Sequence, residues 1–165
     1  MNQYFTLFNL PAGFTLDEDT LESRYRTLAA RFHPDRFAAA SAFEQKQAVM
    51  MSATVNEAYR TLKSPIDRAA YLLKEQGIDA DAPEHTSFAP EFLMQQMEWR
   101  ETLMEAQMEN EAAALKNLEN EIAAEAEKLF AELHQAFADK RHDEAAQLVR
   151  QGRFFDKLLR EIRQA

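Results

Sequence analysis

Apolar positions in the first 76 residues recur at helical spacing in four stretches, each closed by proline, glycine or a capping residue. Tyr4, Phe5, Leu7, Phe8 and Leu10 form a short segment that ends at Pro11, enough for one or two turns of helix. Gly13 marks the turn after it. Thr15 with Glu18, or Asp17 alone, is placed to cap the next helix. There Leu21, Tyr25, Leu28 and Phe32 recur at i, i+4, i+7 and i+11 and predict one buried face. Arg24 and Arg31 lie seven apart on another face, with Arg26 and Arg36 close by. A third helix is predicted from about 41 to 62, where Ala48, Met51, Val55, Ala58, Tyr59 and Leu62 keep the 3–4 spacing. Ser64-Pro65 opens a fourth, with serine as cap, proline at the first helical position and Asp67 in the first turn. Ile66, Ala70 and Leu73 are its inner face, and Gly77 ends it.

From Gly77 to Ala89 the pattern lapses into Gly, Pro, Ser and acidic residues, which reads as a linker; Pro90 then starts a new helix. Three longer helical patterns follow. In the second, Leu115, Ile122, Leu129 and Ala136 form a seven-residue repeat supported by Leu118 and Leu133. In the last, Leu148, Gly152, Phe155, Leu159 and Ile162 follow a 4-3-4-3 spacing, and residues 139–143 make a polar connection before it. Such seams suit a bundle with small crossing angles. The junction near Asn110 lacks Gly and Pro, so the first two of these helices are either separate or continuous. The expected architecture is all-α, with domains at 1–76 and 90–165 joined by a linker at 77–89. No period-2 run of β-branched residues argues for a sheet.

Composition narrows the chemistry. The 165 residues hold three glycines, five prolines and no cysteine, which excludes disulfides, thiolate metal or cluster ligation and a cysteine nucleophile. No apolar run approaches the ~18 residues of a membrane span, and the N-terminus lacks the basic and apolar regions of a signal peptide. A cytoplasmic protein is expected. The formal charge of −9 disfavours nonspecific binding to nucleic acid or anionic membrane. Residues 1–76 hold nine Lys/Arg and nine Asp/Glu, whereas residues 77–165 hold ten and nineteen, so the excess is entirely C-terminal. Two surfaces of different electrostatic character are implied.

Between the second and third helices stands His33-Pro34-Asp35. Proline cannot continue the helix and pushes His33 out of the α region, leaving Asp35 on a short, stiff loop. A carboxylate held this way suits recognition of a cation on another protein, because little freedom remains to be lost on binding.

These elements together resemble a J-domain: a short helix, a basic second helix, His-Pro-Asp, and a third helix ending Val55-Asn56-Glu57-Ala58-Tyr59-Arg60-Thr61-Leu62. The segments Ser64 to Leu73, Phe92 to Glu101 and Arg153 to Leu158 narrow the resemblance to the HscB co-chaperones of iron–sulfur cluster biogenesis, and it covers essentially the whole chain. The resemblance implies a J-domain, an antiparallel helical hairpin with short helices, followed by a three-helix client-binding bundle. It implies no covalent chemistry and no cofactor. It further implies two partners, a DnaK-type ATPase chaperone (HscA-like) and an iron–sulfur scaffold protein (IscU-like). Carried over by motif match, His33, Pro34 and Asp35 are essential for ATPase stimulation, and Arg24 and Arg31 face the chaperone. Leu93, Met94, Met97 and Phe154 contact the scaffold, with Glu98, Arg100 and Glu101 around them.

The residue pattern bears on this independently. On a helical wheel, segment 90–108 carries two apolar stripes. Phe92, Trp99, Leu103 and Ala106 fall within about 60°, and Leu93, Met97, Met104 and Met108 lie about 130° away with Met94 at the edge. Periodicity does not say which stripe is buried; the resemblance assigns the aromatic one to the core. Phe154 projects about 100° from the seam of the last helix, which fits contact with a partner. Three other readings stand beside this one. A hydrolase built on His33 and Asp35 lacks a nucleophile or oxyanion motif. A metal site lacks support, since His33, His85, His134 and His142 show no i,i+3 or i,i+4 pairing. A J-protein with a different client, or a helical adaptor without ATPase stimulation, is the remaining alternative.

Overall fold

Side-chain caps fix where the N-terminal helices begin. The structure, a computed structural model, describes residues 2–82 and 88–164. After α1 (Gln3–Leu7), α2 (Glu18–Arg31) starts at Asp17, whose carboxylate accepts the Thr20 amide hydrogen at 3.2 Å. Of the two caps compatible with the sequence, the single aspartate is used. Its bonds from Thr20 hold the Asp17 carboxyl below its ordinary range. A short 3-10 helix (Pro34–Phe37) separates α2 from α3 (Ala42–Lys63), which Ser41 caps through the Glu44 amide. Ser64 caps α4 (Pro65–Glu75) in the same way through Asp67.

Left-handed residues close several of the helices. Gly77, at φ +82°, follows α4, and its neighbour Ile78 donates to the Leu73 carbonyl at 2.9 Å. The same closure uses Asn9 after α1 and Asn110 after α5 (Pro90–Glu109). The junction at Asn110 is therefore a real break. Asparagine is the residue best suited to this conformation after glycine, so the stop signal was present without Gly or Pro. Then α6 (Ala112–Ala138) and α7 (His142–Arg163) follow.

The helices form two units, Met1–Ile78 and Asp79–Ala165. In the first, Tyr25 stacks on Tyr59 and its hydroxyl donates to Asn56, while Phe32 lines the same groove as Ala48 and Met51. This register makes α2 and α3 an antiparallel hairpin. Phe5, Phe8, Leu21, Val55, Ala58 and Leu62 are its buried centre. Tyr4 stacks on Tyr71 at 4.7 Å and donates its backbone N–H to the Tyr71 hydroxyl, tying α1 to α4.

One tie was invisible to periodicity. Arg68 is 6% exposed; its Nε donates to the Phe14 carbonyl at 2.8 Å and its Nη1 to the Leu62 carbonyl at 2.6 Å. Its guanidinium also lies 5.0 Å from the Phe14 ring centre. Burial pushes its pKa down, and the nearby Glu18 opposes that shift. Arg68→Met keeps the stem but leaves both carbonyls without their donor. It should destabilise the chain by about 2–3 kcal/mol, read as a lower urea midpoint at unchanged slope.

In the second unit α5, α6 and α7 run up, down and up. Phe92 and Arg100 of α5 meet Phe155 and Glu161 of α7, and Trp99 meets Glu121 of α6. The ring of Phe155 sits against both Phe92 and Trp99, with the latter edge-on at 5.4 Å. Of the predicted α6 repeat, Ile122, Leu129 and Ala136 are buried and Leu115 is half-buried; the whole predicted α7 seam is buried. Of the expected linker, residues 77 and 78 close the first unit and residues from 79 on belong to the second. Ala80 is buried, and Asp81 accepts two hydrogen bonds from Arg153, each of 3.0 Å. Residues 83–87, which include His85, lie outside the described residues.

Candidate functional site

Two exposed features stand out, one on each unit. The first grows from the end of α2. His33 takes an extended conformation (φ −61°, ψ 133°), as a residue before proline must, and its Nδ1 accepts the Asp35 amide hydrogen at 3.2 Å. The imidazole thus caps the 3-10 helix and fixes the backbone on which Asp35 stands. The Asp35 side chain is 93% exposed, and its Oδ2 lies 3.6 Å from the same His33 nitrogen. Its carboxylate accepts no hydrogen bond from the described residues. The result is a preorganised, solvent-facing anion.

The arginines expected around it divide. Arg31 and Arg36 are exposed on the turns flanking the tip. Arg24 is partly withdrawn: its Nη1 donates to the carbonyls of Phe8 at 2.8 Å and Asn9 at 2.5 Å. It holds the end of α1 against α2, so it is not equivalent to Arg31. The two should separate experimentally. Arg31→Ala should slow chaperone association in a salt-dependent way at unchanged melting temperature, whereas Arg24→Ala should lower stability by about 1–2 kcal/mol.

Next to the tip lies a groove of about 700 Å³ lined by Phe32, Phe37, Phe43, Met50 and Met51. Phe43 and Met50 are 69% and 61% exposed. Helical periodicity does not point to it, because Phe43 and Met50 both lie off the buried face of α3.

The second feature is on α5. Phe92, Trp99, Leu103 and Ala106 are buried, whereas Leu93, Met94 and Met97 are 44%, 62% and 67% exposed. The aromatic stripe therefore packs inward and the methionine stripe faces solvent. Glu98 and Glu101 are exposed on the same side. Arg100 and Phe154 meet at the opposite border: the guanidinium lies 5.5 Å from the Phe154 ring centre and its Nη1 reaches Glu161 at 2.5 Å. Phe154 is half-buried, with the Phe92 ring edge-on at 5.9 Å, so it presents only part of its ring. Among the described residues no three His, Asp or Glu side chains converge as a metal site requires. No described helix is long and apolar enough to cross a membrane.

The comparisons with known proteins fall on the same two units. Residues 3–71 match the DnaJ domain, and residues 88–163 match the HSCB C-terminal oligomerisation domain. The chain is 70% identical over 165 residues to a co-chaperone protein HscB homolog of Neisseria meningitidis, covering 100% of this chain and 99% of the relative. It is also similar to chaperone HscB from Vibrio cholerae, with a TM-score of 0.84 and 40% identity over 99% of this chain and 96% of that one. Human co-chaperone protein HscB gives a TM-score of 0.89 at 31% identity, over 98% and 80% of the two chains.

A J-domain carrying its intact His-Pro-Asp tip defines a J-type co-chaperone, and a J-domain implies an Hsp70-class partner. With the matching C-terminal bundle, the chain belongs to the HscB family of co-chaperones.

Proposed function

We propose that this chain is a cytoplasmic co-chaperone with no catalytic chemistry of its own, which recruits an iron–sulfur scaffold protein of the IscU type to an HscA-like chaperone and stimulates that chaperone's ATPase. The HscB family acts in iron–sulfur cluster assembly. The J-domain, residues 1–76, engages the ATPase through His33, Pro34 and Asp35, with Arg31 supplying attraction. The bundle, residues 90–165, holds the scaffold on Leu93, Met94 and Met97, bordered by Glu98, Glu101, Arg100 and Phe154.

The observation that carries this reading is the Asp35 carboxylate, fully presented on a backbone that Pro34 and the His33 cap immobilise. A partner cation meets an anion that loses little freedom on docking, so the contact is directional as well as attractive. The α5 ridge supplies the second contact. Three large apolar side chains left in water beside a filled core, with Glu98, Glu101 and Arg100 around them, have the apolar centre and charged rim of a protein interface. Methionine there adapts to an irregular partner surface.

The direct test is the steady-state ATPase rate of the chaperone, measured with this chain, with scaffold, and with both. The reading requires stimulation by the chain alone and a larger rate when scaffold is added. No stimulation in either mixture would overturn it in favour of a helical adaptor.

A further inference from the structure

The apolar stripe on α5 runs on beyond Leu93, Met94 and Met97. Met104 and Met108 continue it and are 60% and 83% exposed. Leu103 and Ala106, on the opposite side of the same turns, are each 3% exposed and hold α5 in the bundle without them. From Leu93 to Met108 the stripe spans about 22 Å at the helical rise. A band of carboxylates runs alongside it. Glu101 and Glu105 lie about 50° and 90° from the stripe's centre, Glu98 and Glu109 about 110° and 130°, and all four are exposed. The other border is different: Arg100 is neutralised by Glu161, and Gln96 and Gln107 carry no charge.

We propose that the scaffold-facing ridge runs the full length of α5, with Met104 and Met108 as its second half, and that it takes a partner surface whose apolar strip is bordered along one side by Lys and Arg. This rests on the reading of α5 given under Proposed function and adds its extent and the partner's charge pattern. Charge complementarity favours a basic partner. Acidic and apolar bands extend in register for the same length, so a cation row opposite the glutamates would align the apolar strips as well. A second copy of this chain fits poorly: paired antiparallel through α5 the two acidic bands would meet, and paired parallel each would face a border whose Arg100 is already bound by Glu161.

Full-length Met104→Gln/Met108→Gln and Glu105→Gln/Glu109→Gln provide the test, with binding of purified IscU-type scaffold measured by calorimetry at 50 and 300 mM salt. All four side chains are exposed, so circular dichroism should match wild type. The methionine pair should weaken binding about 10-fold at both salts. The glutamate pair should weaken it several-fold at low salt and flatten the salt dependence. Wild-type affinity in both variants, alongside weakened binding by Leu93→Ala/Met97→Ala, would end the ridge at Met97 and overturn the extension alone. Wild-type affinity in all three would remove the Proposed function of α5 itself. A loss of dimer mass by light scattering in the methionine pair, with scaffold binding intact, would assign the extension to self-association and also overturn the proposal.

Discussion

Asp35→Asn should abolish stimulation of the chaperone ATPase while leaving the fold unchanged. The side chain is exposed, its carboxylate accepts no hydrogen bond from the described residues, and its charge meets only the exposed His33 ring at 3.6 Å, so the fold owes it little. The backbone that presents it is held by Pro34 and by the Asp35 amide hydrogen given to His33 Nδ1, and asparagine keeps both. What changes is the partner. A cation desolvated against Asp35 would face a neutral amide, and truncating one side of such a pair costs about 2–5 kcal/mol. Stimulation at sub-saturating chain should fall by at least about 30-fold. Melting temperature and scaffold affinity should equal wild type. Residual stimulation within about threefold of wild type would show that the arginines, and not the carboxylate, drive docking.

Leu93→Ala/Met97→Ala should weaken scaffold binding by about 30- to 1000-fold, corresponding to roughly 2–4 kcal/mol for two central interface side chains. Stability should hardly change, because the bundle is packed by Phe92, Trp99 and Leu103 on the other face of α5. Trp99→Ala is the informative contrast. It empties a buried site against Phe155 and should destabilise the unit by about 3–5 kcal/mol. Loss of scaffold binding in the exposed pair with no loss of melting temperature separates a docking surface from a core. Equal melting losses in both variants would mean that the methionine stripe packs after all.

Much of the fold is legible because it rests on short-range chemistry. Asp17, Ser41 and Ser64 cap the helices they precede in the sequence, and Pro34, Pro65 and Pro90 fall where a helix must stop or start. The inward faces of α2, α3, α6 and α7 follow from period alone. What the sequence hides is side-chain reach. A helical wheel counts Arg68 and Arg24 as polar surface, yet both turn back to backbone carbonyls far along the chain. The Asn110 stop was equally obscure, since asparagine favours the left-handed conformation without requiring it. At the candidate sites, residue identity was legible but state was not. Wheel geometry described both stripes of α5 without ranking them; the resemblance assigned the aromatic one to the core, and packing against Phe155 and Glu121 encloses it. Phe154 appeared isolated on the wheel of α7 because its neighbours, Phe92 and Arg100, come from another helix.

The separability of the two surfaces is the central claim, and one crossed measurement reaches it: chaperone ATPase with and without scaffold, for wild type, Asp35→Asn and Leu93→Ala/Met97→Ala. The account predicts that the Asp35 variant binds scaffold normally yet stimulates in neither condition. It predicts that the α5 variant keeps basal stimulation and loses only the increment that scaffold adds. If either substitution removed both activities from a folded chain, the tip and the ridge would be parts of a single site, and the account would be wrong.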